Sequence, residues 1–212
     1  LRAIFPTARL YGILDLGYLP SSGALPMLDR MLAGPIDVIQ LRAKGVPEDT
    51  IVRLGREVAA RCRAASVPFI INDHPHLVAV TGANGVHIGQ DDGPIADARA
   101  AAGRAAIVGR STHSLEQARA AWEEGADYIG FGPLFATPTK PDYVPIGLED
   151  VATVNRESPV PVFCIGGIKS GNLPEVIAAG ARRVVIVSGI LKAPDPAGYA
   201  VACQELLREV PL

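Results

Sequence analysis

The stretch Pro68–Asp73, PFIIND, runs Phe69, Ile70 and Ile71 without a polar break into an amide and a carboxylate. An unbroken apolar run of this length reads as a strand buried on both faces, the pattern of a parallel sheet covered by helices. Asn72 and Asp73 then either cap the next helix or stand at the rim of a pocket. Similar strands are expected at Leu10–Asp15, Asp37–Arg42, Gly85–Gln90, Ala106–Ser111, Asp127–Pro133, Val162–Gly167 and Arg183–Ser188. Helices fit between them. Ile51, Leu54, Val58 and Cys62 make one apolar face within Glu48–Ala65; Ser114 and Gln117 have capping-box spacing; Tyr199, Cys203, Leu206 and Val210 align within Pro196–Val210. Gly-Ala precedes a strand in GANGVHIG, GADYIGFG and GARRVVIV, placing Gly82, Gly125 and Gly180 as left-handed helix ends. Strands and helices alternating throughout predict a closed (β/α)₈ TIM barrel, with an open doubly wound sheet as the alternative.

The 212 residues, 49% of them hydrophobic, carry no linker or shift in composition, so residues 1–212 read as a single barrel domain. A net charge of -2, from 20 basic and 22 acidic residues mixed along the chain, argues against nucleic-acid and membrane partners. No apolar run has the length of a membrane span, and the first residues lack a signal-peptide core. Cys62, Cys164 and Cys203 are far apart and read as buried thiols of a cytoplasmic protein.

In such a barrel the active face lies at the carboxyl ends of the strands. There the second strand runs into QLRAK (Gln40–Lys44), the third into Asn72 and Asp73, the fourth into HIGQDD and the fifth into GRSTHS. The sixth runs into GPLFATPTK, the seventh into CIGGI and the eighth into VSGI. The opposite strand ends carry ordinary turn residues. Each piece has a local explanation: Arg42 and Lys44 as a solvated loop, Asp91 or Asp92 as the cap of a helix near Pro94, Gly166-Gly167 as a tight turn. One shared site accounts for all of them together. Arg42, Lys44 and Lys140 suit a phosphate-rich ligand, and the carboxylates of Asp73 and Asp92 suit a hard divalent ion, so the rim reads as a magnesium-diphosphate site. Gly166, Gly167, Val187, Ser188 and Gly189 imply a second phosphate site after the seventh and eighth strands.

QLRAK, the IND pair with Asp92, TPTK at Thr137–Lys140, IGGI and the terminal VSG resemble the thiamine-phosphate synthases, also called thiamine-phosphate pyrophosphorylases. The motifs span Gln40 to Gly189, and their joint order and spacing are specific. The resemblance implies a transferase of thiamine biosynthesis that joins 4-amino-5-hydroxymethyl-2-methylpyrimidine diphosphate to 4-methyl-5-(2-phosphoethyl)thiazole, giving thiamine phosphate and diphosphate. Carried over by motif, Gln40, Arg42, Lys44, Asn72, Ser111 and Lys140 would contact the pyrimidine diphosphate, with Lys44, Lys140 and Ser111 serving catalysis. Asp73 and Asp92 would hold Mg2+. Thr137, Thr139, Gly167, Val187 and Ser188 would receive the thiazole phosphate. Partners are then phosphorylated small molecules, with a homodimer left open.

Two segments lean toward a sister family. GRSTHS and VSGI, with Arg110 where the synthases carry a small apolar residue, are similar to thiazole tautomerases, in which a histidine matching His113 transfers protons. Those enzymes lack the Asn-Asp pair, the second Asp and the basic QLRxK ending, all of which are present here. A non-catalytic barrel that only binds thiazole phosphate is a third reading, and the two retained aspartates count against it. His74, His76 and His87 have no carboxylate or cysteine at a metal-ligand spacing and are expected to be structural or on the surface. Thr137–Pro145 is long enough to be a lid, with a rigid rim as the equal alternative.

Overall fold

A computed structural model describes residues 5–137 and 144–212. Eight parallel strands close in sequence order into a barrel: β1 Leu10–Asp15, β2 Val38–Arg42, β3 Phe69–Asn72, β4 Gly85–Ile88, β5 Ile107–Thr112, β6 Tyr128–Phe131, β7 Val162–Cys164 and β8 Val184–Ile186. Around them lie α1 Ser21–Leu32, α2 Glu48–Ala64, α3 Val78–Thr81, α4 Ile95–Ala102, α5 Leu115–Glu123, α6 Val151–Glu157, α7 Leu173–Ala178, α8 Ser188–Leu191 and α9 Pro196–Arg208. Every expected strand is present, and the closed order excludes the open sheet.

Side chains alternate along each strand, so each divides into two sets. The outward set, with Ile39, Leu41, Ile71, Val86, Val108 and Ile129, meets the helices in the larger apolar core. The inward set fills the barrel with Tyr11, Val38, Ile70, Ile107, Tyr128, Phe163 and Val185. Phe5, from a short turn before β1, closes this interior against Tyr128 at 4.9 Å between ring centroids. Gly109 makes room for Tyr128: a Cβ there would lie 2.1 Å from the tyrosine ring.

Helix ends follow local chemistry. Ser114 accepts a hydrogen bond from the Gln117 amide at 3.1 Å, while the Gln117 side chain returns to the amide of His113 rather than of Ser114. Gly82, Gly125 and Gly180 all have positive φ. The expected cap at Asp91 or Asp92 does not form. α4 is preceded by Pro94 with no side-chain cap, and Asp92 Oδ2 instead accepts from the Gly89 amide at 2.6 Å, folding the loop after β4 onto itself. Asp73 is likewise no cap, since the short turn Pro75–Leu77 is entered through His74.

At the amino end of the barrel, residues just before the strands hold the neighbouring strand. Asp37 Oδ2 accepts from the amides of Arg9 and Leu10 at 2.7 and 2.9 Å and from Gln204 Nε2 of α9 at 2.6 Å. Asn84 accepts from the Phe69 amide at 2.8 Å, and Asp127 from the Val108 amide and Arg99, both at 2.9 Å. Each satisfies a donor that the ladder leaves open.

Candidate active site

The same alternation builds the opposite end. One register step beyond the inner core, the inward positions are Gln40 and Arg42 on β2, Asn72 on β3, His87 on β4 and Ser111 on β5. Gly130, Ile165 and Val187 continue the ring on β6 and after β7 and β8, and all these residues line one pocket. Thr137, Gly167, Ser188 and His113 face it too. Lys44, Asp73 and Asp92 stand apart as a second cluster on the rim. Thr139 and Lys140, with most of the expected lid, lie outside the described residues.

The charged wall is held by pairing. Arg42 Nη1 lies 2.9 and 3.1 Å from the carboxylate oxygens of Asp15, which is buried and also accepts from the Gly17 amide. Asp15 thus fixes the plane of the guanidinium. Its sequence signal, a carboxylate ending an apolar strand, is the one that drew attention to Asp73. On the rim, Lys44 Nζ lies 3.5 Å from Asp73 Oδ2. Asp73 has φ of 61°, a left-handed conformation that Asn and Asp tolerate better than other non-glycine residues. Burial, then the charge of Asp92 with which it shares a hydrogen bond, raise its pKa above the ordinary carboxylate value, and Lys44 only partly offsets them. Two carboxylates that repel one another at a pocket rim offer oxygen donors of the kind magnesium takes.

A chain of hydrogen bonds crosses the barrel beneath this wall. Gln40 Nε2 donates to the Tyr11 hydroxyl at 2.8 Å, the Tyr11 and Tyr128 hydroxyls are 3.0 Å apart, and Tyr128 meets His87 Nδ1 at 3.0 Å. His87 Nε2 then lies 3.0 Å from Ser111 Oγ. With Gln40 donating through Nε2, the chain is satisfied when Tyr11 donates to Tyr128 and Tyr128 donates to His87 Nδ1. In that arrangement His87 would carry its proton on Nε2 and donate to Ser111, leaving the Ser111 O–H free to point toward a ligand. Burial pushes both tyrosines well above the usual phenol range, so they remain neutral links. The expectation that His87 is merely structural or on the surface is corrected: it lines the pocket. Strand alternation between Gly85 and His87 was the signal.

Arg110 has its explanation in the same alternation. It lies on the outward face of β5, where Nη1 donates to the Gly93 carbonyl at 2.6 Å and Nη2 to that of Gln90 at 3.2 Å. It braces the loop that carries Asp92 and leaves Ser111 inward. His113 lines the pocket with Nδ1 hydrogen-bonded to the Gly132 carbonyl.

The opposite wall is made of backbone. The Leu134 amide donates to Ile165 O at 2.8 Å and the Phe135 amide to Gly166 O at 3.1 Å, joining the segments after β6 and β7. Gly167, with φ of 68°, packs so closely that a Cβ would lie 2.6 Å from that of Phe135. The short α8 starts at Ser188. Away from the site, the three cysteines are buried thiols, with pKa pushed up by burial to about 12 at Cys62 and Cys164 and about 11 at Cys203.

Among the described residues the carboxylates of Asp73 and Asp92 offer metal donors, and so does a trio of Glu48, His74 and His76 with one donor atom from each within 4.8 Å of the others. His74 and His76, which have no carboxylate at a metal-ligand spacing in the sequence, meet one in space in Glu48. Glu48 comes from another element and was invisible to spacing.

Comparison with known proteins places this geometry. The chain is 46% identical over 184 residues to a thiamine-phosphate synthase of Thermus thermophilus, covering 86% of this chain and 88% of that one. It is 37% identical over 202 residues to that of Halalkalibacterium halodurans, covering 95% and 96%. A solved thiamine phosphate pyrophosphorylase from Pyrococcus furiosus superposes with a TM-score of 0.87 at 29% identity, covering 98% of each chain. A 3-hexulose-6-phosphate synthase from Salmonella typhimurium, at 20% identity and a TM-score of 0.67, shares the fold. The family described as thiamine monophosphate synthase matches residues 10–190, and the chain belongs to it.

Proposed function

We propose that this single-domain barrel, a thiamine-phosphate synthase, couples 4-amino-5-hydroxymethyl-2-methylpyrimidine diphosphate to 4-methyl-5-(2-phosphoethyl)thiazole between its two walls. The observation that carries this reading is the meeting of a charged wall and a backbone wall in one pocket. Gln40 and Asn72 would orient the pyrimidine. Arg42, Lys44 and Ser111, with Lys140, would take the diphosphate, and Thr137, Thr139, Gly167, Val187 and Ser188 the thiazole phosphate. Asp73 and Asp92 would hold Mg2+, which supplies positive charge to the departing diphosphate.

The bond between the pyrimidine methylene carbon and the diphosphate oxygen breaks with its electron pair leaving on diphosphate. The resulting cation is stabilised by the ring amino group, and the thiazole nitrogen lone pair closes the new C–N bond. No side-chain nucleophile takes part. The protein contributes position and charge: Arg42 fixed by Asp15, Lys44 beside Asp73, and Ser111 aimed by His87. The thiazole is held in line by the opposite wall.

The test is a coupling assay with both substrates, with and without EDTA, on the parent and on Asp73→Asn, which keeps the left-handed backbone. Coupling is expected to need magnesium and to fall by about 10³-fold in the variant, with thiazole-phosphate binding retained. Undiminished coupling in EDTA, or by the variant, sinks the magnesium assignment. His113 keeps the tautomerase reading testable, since isomerisation of a thiazole carboxylate phosphate by the parent, lost in His113→Ala, would favour it. No described helix is long and apolar enough to cross a membrane. The enzyme is read as cytoplasmic, and a homodimer would show in sedimentation.

A further inference from the structure

We propose that Glu48, His74 and His76 form a transition-metal site of the zinc class on the outer rim, separate from the carboxylate pair of Asp73 and Asp92. Among the described residues this is the one group that brings three histidine, cysteine or carboxylate donors together, with one donor atom from each residue within 4.8 Å of the others. His76 Nε2 already lies 3.0 Å from Glu48 Oε1. The rings of His74 and His76 stand 5.9 Å apart at 84°, edge to face, so their nitrogens can turn toward one point without a steric contest. Tetrahedral zinc at about 2.0 to 2.1 Å from each ligand needs donors roughly 3.3 Å apart. Rotation of side chains that are half-buried or exposed supplies the remaining closure.

The backbone around the three donors is stiff. Glu48 is the first residue of α2 and follows Pro47, while His74 and His76 flank Pro75 in a short 3-10 turn. Proline fixes its own φ and restricts the residue before it, so less ordering remains to be done on binding. Donor chemistry separates the two sites. Two imidazoles and one carboxylate suit zinc, cobalt or nickel, with solvent completing the coordination, whereas magnesium demands oxygen. The pair Asp73–Asp92 offers oxygen alone. An ion at the trio would tie the start of α2, which continues the loop of Lys44, to the segment leaving Asp73. It would thereby staple together the two loops that make the charged rim.

The experiment is calorimetric titration of metal-free protein with zinc in the presence of excess magnesium, repeated with cobalt(II) as a spectroscopic probe. One equivalent is expected to bind, with affinity reduced at least about tenfold in both His76→Ala and Glu48→Gln and unchanged in Asp92→Asn. Magnesium-dependent coupling by zinc-free His76→Ala should match the parent. Absence of binding, binding that survives both variants, or binding lost only in Asp92→Asn would each overturn the proposal. Circular dichroism confirms that the variants are folded, and agreement between two independent ligand changes guards against a single misfolded one. Because the readout is metal binding, it stands or falls independently of the coupling reaction.

Discussion

Aspartates stand at both ends of this barrel, and their surroundings are opposite. At the amino end Asp37 and Asp127 accept hydrogen bonds from backbone amides and from Gln204 or Arg99. At the carboxyl end Asp73 and Asp92 face one another across the rim, where among the described residues Asp73 pairs with the exposed Lys44. The first arrangement lowers the free energy of the fold. The second sets two carboxylates close enough to raise the pKa of Asp73, and on the proposed function their oxygens would hold the cation. On the proposed function, one residue type therefore divides the barrel into an end that holds and an end that works.

Breaking the working end should have the largest effect. Asp92→Asn keeps an oxygen for the Gly89 amide but removes half the charge, and coupling should fall by about 10²- to 10³-fold with thermal stability near that of the parent. Steady-state rates with both substrates and a melting curve check this together. A melting temperature that falls in step with activity would assign Asp92 to the holding class. Asp37→Ala is the converse. Two strand amides and Gln204 lose their acceptor, so stability should drop by about 2–3 kcal/mol, a Tm lower by roughly 5–10 °C. Coupling at 25 °C should be unchanged.

Between the two ends runs the buried chain from Gln40 to Ser111, and it tests whether the division is sharp. Tyr128→Phe removes one hydroxyl, leaving Tyr11 and His87 Nδ1 without it. The tautomer of His87 is then no longer fixed. The coupling rate should fall by about tenfold with a smaller change in the KM for the thiazole phosphate. Equal losses in both would show that the hydroxyl packs rather than orients.

How much of this was written in the sequence depends on whether a residue acts through its own strand or through a distant one. The strands and their alternation are local properties, so the barrel and the placing of Gln40, Asn72 and Ser111 followed from short apolar runs ending in polar residues. Asp15 carries the same signal as Asp73, but its role is not legible in the sequence because its partner Arg42 comes from β2. His87 was legible from its inward parity with Gly85, yet its meaning depends on Tyr11 and Tyr128, whose hydroxyls meet only when β1 and β6 face each other. Glu48 is 26 residues before His74 in the chain and is brought to it by tertiary packing alone. Arg110 looked like a mark of the tautomerases until its outward side was known.

The smallest effect expected is also the most direct comparison of the two kinds of aspartate. In the metal-free protein Asp73 has its pKa raised by burial and by Asp92, so the folded state holds a proton more tightly than the unfolded chain does. Stability is therefore undiminished below the unfolded carboxylate value and is lost as pH rises through the folded one. At neutral pH the ionised side chain costs the fold something that a neutral amide does not, and Asn accepts the φ of 61° as readily as Asp. In EDTA, Asp73→Asn should melt about 1–3 °C above the parent at neutral pH, and the gap should vanish toward acid. Saturating magnesium should reverse the order, because only the parent then gains from binding. A variant that melts lower than the parent in EDTA would mean that Asp73 belongs with Asp37, holding the barrel together, and that the rim draws its function from Asp92 and the cations alone.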